Sequence, residues 1–181
     1  MPLCQSFRHP LRSNRALFAA IVGASFFCLP ALADEGTDIR LLLARGELPA
    51  ALARAEAANK AHPRDAQLRF LLGVVWMDMQ RNAQALEVFT DMSQEFPELP
   101  EPFNNIALLQ VRLGQPELAR QALDAALRND PAHRQARVNL AQVHLMLAAQ
   151  ALERAAAAVP ADGAVQQKLQ AVRALLALPA R

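Results

Sequence analysis

The sequence predicts an all-α fold, a solenoid of stacked helix–turn–helix units closed by a C-terminal capping helix. Three observations carry this. Pro63, Pro97 and Pro131 are evenly spaced at a step of 34, and each follows an apolar helical run that it cannot continue. Ala51, Ala85 and Ala119 keep the same step, as do Ala55, Phe89 and Leu123 one turn on, so small and large positions recur at fixed places. Of 181 residues only six are Gly and none is Tyr, while the helix formers Ala, Leu, Gln, Glu and Arg abound; no alternating strand pattern stands out.

Residues 1–15 are basic without an acid, residues 16–32 are apolar, and Ala31-Leu32-Ala33 precedes Asp34. A basic start, an apolar stretch and an A-x-A site predict a secretory signal peptide over 1–33, cut after Ala33. The alternative is an uncleaved anchor, against which the shortness of the run and its Gly23 and Pro30 argue. Cys28 follows Phe27 rather than a small residue, so no lipidation is expected. Cys4 and Cys28 both fall in the leader, so the mature chain is expected to have no disulfide and no thiolate chemistry. Removing Arg8, Arg12 and Arg15 with the leader takes the 19 Lys and Arg to 16, against 17 Asp and Glu. A nearly neutral chain without a basic stripe excludes a nucleic-acid partner. The expected location is the periplasm, with no membrane contact after cleavage.

The mature domain, 34–178, divides into units of about 34–64, 65–98 and 99–132, a shortened unit 133–160 and a cap helix 162–178. In the first, Asp34–Ala61 is a helix pair broken at Gly46, and Pro49 suits the first turn of its second helix. Glu35 and Asp38 stand where apolar residues are expected. In the second, Asp65 is an N-cap for a helix over Ala66–Met79, Arg81-Asn82 is the turn, and Ala83–Glu95 returns. In the third, helices over Glu101–Leu113 and Glu117–Asn129 flank the turn Gly114-Gln115-Pro116.

The fourth unit differs. Pro160 comes early, one short step after Pro131, and no Gly or Pro lies between them. Val138, Ala141, Leu145, Ala148, Leu152, Ala155 and Val159 step by three and four through the place where a turn belongs, predicting one helix over His133–Ala158. Ala151, Leu152 and Ala155 on its far half then need a cover, either the cap helix or a second copy. Asp162 or Gly163 starts the cap, whose apolar face is Val165, Leu169, Val172 and Leu176.

The even proline step, the pairing of Gly73 with Ala107 and of Leu72 with Ile106 across units, and Gly46 and Gly114 at the turns resemble the tetratricopeptide repeat (TPR) family over about residues 34–160. The resemblance implies a right-handed α-solenoid whose first helices line a concave face that holds a protein or peptide partner. Register places Gln67, Phe70, Val74 and Met77 on that face from one unit. It adds Glu101, Asn104, Asn105, Leu108 and Arg112 from the next, then Gln135, Val138, Asn139, Gln142 and Leu145. Asn105 and Asn139 share one register and are expected to stack in the groove, where a carboxamide offers an extended backbone both donor and acceptor. The other reading has these asparagines bonding neighbouring helices. Phe70, Val74 and Met77 either form an apolar groove or pack under the first unit. Carboxylate-clamp members of the family carry Lys and Arg on this face. Arg112 is the one clear candidate here, and Lys60 and Lys168 are the only lysines, so an acidic tail is not the expected partner.

Nothing in the sequence carries catalysis. His62 and His133 sit beside the interrepeat prolines, and His144 fills a slot that holds Trp76 two units earlier. No H-x-x-x-H, E-x-x-H, G-x-S-x-G or phosphate-binding loop occurs. The expectation is therefore no enzyme, no cofactor and no metal. The expected function is a protein-interaction scaffold or adaptor of the bacterial cell envelope. The alternatives are an assembly chaperone for an exported client and a self-associating structural subunit.

Overall fold

A computed structural model of the chain describes residues 35–178, and the leader with its cleavage position lies outside them. The described residues form eight helices: α1 Glu35–Ala44, α2 Leu48–Ala61, α3 Ala66–Asp78, α4 Asn82–Glu95, α5 Pro100–Arg112, α6 Pro116–Asn129, α7 Arg134–Ala158 and α8 Gly163–Leu176. Consecutive helices pack on each other, and α1 also touches α3 and α5 touches α7, the pattern of a stacked array. No helix among the described residues is long and apolar enough to cross a membrane.

The turns repeat as closely as the helices. Gly46, Gln80 and Gly114, which follow one another at the repeat step, all have positive φ, at 71°, 59° and 71°. Each donates its N–H three residues back, and the next residue donates five back: Glu47 to Leu42 (2.9 Å), Arg81 to Trp76 (2.8 Å), Gln115 to Gln110 (2.9 Å). These paired bonds satisfy the carbonyls left open at a helix end. The turn after α3 is thus Met79-Gln80-Arg81, not Arg81-Asn82 as the sequence suggested, because Gln80 takes the left-handed position. A side chain with a Cβ is strained there. Gln80→Gly is expected to raise stability by about 0.5–1 kcal/mol, less than the full strain because glycine also loosens the unfolded chain. A urea denaturation midpoint checks it.

The other helix ends follow the sequence. Asp65 accepts from Gln67 and Leu68 N–H at 2.9 and 3.1 Å, and Asp162 from Ala164 and Val165 at 3.0 and 3.1 Å. His133, two repeat steps on from Asp65, caps α7 by accepting the Ala136 N–H on Nδ1 at 3.1 Å. Glu35 and Asp38, placed where apolar residues were expected, both pair with Arg54 of α2 at 3.3 Å. Each interrepeat proline carbonyl is also held: Pro63 by Arg69 (2.6 Å), Pro97 by Asn129 (2.6 Å) and Pro131 by Arg137.

Between the two helices of each unit, volumes are matched. Gly73 lies against Phe89, so closely that a Cβ on it would stand 2.6 Å from the ring. The equivalent pairs are Ile39 with Ala55 and Ala107 with Leu123, all buried. One unit is large-on-small, the next smallest-on-largest, the third intermediate.

The expected unbroken helix is α7, at 25 residues and roughly 38 Å. Its buried face is not the predicted stripe. Val138 and Val159 are exposed, as are Ala141 and Ala155. The first half of α7 instead buries Ala136, Asn139 and Val143, facing α5 and α6, and the second half buries Ala149 and Ala156. The helix changes partners midway, so no single stripe can serve both. Of the two covers expected for the far half, α8 folding back is the one found, burying Leu169 and pairing Arg173 with Glu153 at 2.7 Å. It leaves Ala151 and Ala155 exposed and Leu152 half-buried.

Candidate functional site

The first helices α3, α5 and α7 carry the residues read as a groove, and the structure divides them into two groups. Met77, Asn104, Asn105 and Asn139 are buried, each no more than 9% exposed. Gln67, Arg112 and Gln142 lie nearer the surface, and Phe70, Val74 and Leu108 are half-buried. Val74 and Phe70 also pack on the cluster of Met77, Phe89 and Leu109, with the Phe70 and Phe89 rings 5.5 Å apart. Only the exposed edges of these side chains remain for a ligand.

Asn139 bonds across to Asn104 of α5, which corrects the expected stack of Asn105 on Asn139; Asn105 is buried. Asn139 Nδ2 donates to Asn104 Oδ1 at 2.8 Å, and Gln135 Nε2 donates to Asn139 Oδ1 at 3.0 Å. Residues one repeat step apart point the same way from parallel helices and so do not face each other. The contact forms between opposite flanks, one position beyond that step. Asn139→Ala would leave the largely buried Asn104 oxygen without its donor. The expected loss is about 1 kcal/mol of stability, read from thermal unfolding.

Two mainly apolar hollows open on the first helices. One, of about 480 Å³, lies at the N-terminal ends of α3 and α5, floored by Phe70, Leu71, Met92 and Leu99, with Gln67, Glu101 and Arg40 of α1 around it. The other, of about 190 Å³, lies between α5 and α7, lined by Leu108, Val111 and Val143 with Asn139, Gln142 and Arg112. Six of the ten sequence-derived residues are thereby gathered: Gln67 and Phe70 in the first hollow, Leu108, Arg112, Asn139 and Gln142 in the second. Val74, Asn104 and Asn105 line neither. Met77 instead borders a polar hollow with Asp78, Asn82 and Arg112. Arg112 Nη1 donates there to Met77 O at 3.3 Å and to Asn82 Oδ1 at 3.4 Å, so this cation is partly spent within the fold.

Sequence reasoning missed Arg40, Leu99 and Pro102 at the larger hollow. The available signal was register, since Leu99 stands one repeat step from Asp65 on one side and from His133 on the other. A further hollow of about 620 Å³ surrounds Arg69. Its guanidinium already meets Glu95, Pro63 O and the Phe96 ring. Among the described residues no three His, Cys, Asp or Glu side chains are grouped to hold a metal.

Residues 39–100 and 104–163 match the model of the tetratricopeptide repeat, more than half of the chain. The chain belongs to the tetratricopeptide repeat family. Such proteins are in general interaction modules rather than enzymes. No curated protein sequence matches this TPR chain. Among solved structures, it is similar to a thermophilic TPR protein from Thermus thermophilus, at 19% identity and a TM-score of 0.58, over 76% of this chain and 79% of that one. It is also similar to the second TPR domain of human RPAP3 in complex with the HSP70 peptide SGPTIEEVD, at 17% identity and a TM-score of 0.56, over 61% and 92%. The first TPR of Spaghetti (RPAP3), bound to the HSP90 peptide SRMEEVD, shares 14% identity at a TM-score of 0.59, over 63% and 90%. At these identities the likeness concerns the fold.

Proposed function

We propose that this TPR protein is a periplasmic scaffold or adaptor of the cell envelope that holds a segment of a partner protein against α3, α5 and α7. The observation that carries the reading is the pair of hollows on these helices, whose linings are mainly apolar and whose rims are polar. Such a surface offers side-chain sockets at little ordering cost, because the repeats beneath are already packed. The fold shared with peptide-bound RPAP3 domains supports a segment, rather than a small molecule, as the occupant. The leader read in residues 1–33 supports export; the intact mass of the exported protein is expected to begin at Asp34.

The test is in-cell crosslinking of the exported protein and its Leu108→Glu variant, with Gln121→Glu, exposed on α6, as control. Placing a charge in the smaller hollow is expected to weaken partner capture at least about tenfold, the equivalent of one lost apolar contact of about 1.4 kcal/mol. The control is expected to capture as the wild type does. Equal capture by all three would move the binding face elsewhere.

A further inference from the structure

We infer that the bound segment is uncharged and extended, and carries two apolar anchors, an aromatic side chain for the larger hollow and an aliphatic one four or five residues away for the smaller. This rests on the reading of the first helices as the binding face and specifies what they read.

The charge pattern excludes an acidic segment. Arg40 and Glu101 stand at the larger hollow with opposite signs. Asp78 shares a hollow with Arg112, whose Nη1 already serves Met77 O and Asn82 Oδ1. The face therefore offers no excess of cations for a terminal carboxylate. An anionic segment would leave part of its charge desolvated without a partner. A neutral segment meets the polar rims without that penalty.

The anchors follow from the hollows. The larger is floored by Phe70, Leu71, Met92 and Leu99, a flexible and aromatic lining that suits a ring. The smaller, walled by Leu108, Val111 and Val143, suits a branched aliphatic side chain. Their separation follows from helix geometry. Packed neighbouring helices lie about 8–10 Å apart. Along α5 the hollows centre near Glu101 and near Leu108–Val111, an offset of about eight residues or ~12 Å. Together these give roughly 15 Å, spanned by four or five residues of extended chain at ~3.3 Å each.

Fluorescein-labelled peptides with capped ends test this, built of Ser, Asn and Gln with one Phe and one Leu at stepped separations. Binding to the mature protein, followed by fluorescence anisotropy, is expected to be at least tenfold tighter at four or five residues than at shorter or longer separations. The same peptide with a free acidic C-terminus is expected to bind no better. Phe70→Ala should remove the gain from Phe alone. Gln142→Lys, a change at the rim that spares the core, should remove the gain from Leu alone. Affinity independent of separation, or tightest for the acidic ending, would overturn the inference. If that happens while crosslinked capture still depends on Leu108, the binding face stands and only its specificity has been misread. If capture also ignores Leu108, the face itself is wrong.

Discussion

Phe89→Ala is expected to cost about 3–5 kcal/mol of unfolding free energy, the largest effect of any single change proposed. The ring is fully buried and meets Gly73 on one side and the Phe70 ring on another. Its cluster spans units, joining Met77, Ala85 and Met92 of the second to Leu109 of the third. Alanine would leave a void that helices pinned by short turns cannot close. A small domain has only about 5–15 kcal/mol in total, so the variant should lie near the edge of folding. Chemical denaturation followed by circular dichroism measures it. A loss below about 1 kcal/mol would mean that the repeats collapse onto the gap.

Gly73→Ala is expected to destabilise by about 2 kcal/mol, although alanine is the better helix former by about 1 kcal/mol. The new Cβ would stand 2.6 and 2.7 Å from Phe89 Cζ and Cε1. The ring tip could yield at a surface, but here it has no room, so overlap wins over propensity. The third unit shows the remedy, with Ala107 against Leu123. Gly73→Ala with Phe89→Leu rebuilds that pair in the second unit and is expected to return to within about 1 kcal/mol of wild type. The double-mutant cycle should then show a favourable coupling of about 1 kcal/mol or more. Strict additivity would mean that the two sites do not touch in the way described.

The array was legible because its punctuation is chemical. Proline cannot continue a helix, so Pro63, Pro97 and Pro131 mark the repeat whatever surrounds them. The fused α7 was legible because a missing turn leaves neither Gly nor Pro. Gln80 escaped notice because residue type alone does not mark it as left-handed; only its place midway between Gly46 and Gly114 does. The buried face of α7 was misread because one apolar stripe implies one partner, and this helix has two in succession. The candidate site was half legible. Periodicity finds which helices carry the hollows, but Asn104 and Met77 lie on the flank between neighbouring helices, and a shift of a single position separates flank from face.

The matched volumes between paired helices also bear on how the chain avoids folding wrongly. Three helix pairs of similar length and pattern compete for one another's partners while the chain collapses, a known hazard of repeat proteins. α3 exchanged onto α2 would set Gly73 opposite Ala55 and leave a void. α1 exchanged onto α4 would drive Ile39 into Phe89. Each incorrect match carries either an empty space or a collision, while each correct one fills its volume. The alternation of Ile39–Ala55, Gly73–Phe89 and Ala107–Leu123 thus works as an address, telling each helix which neighbour along the chain is its own.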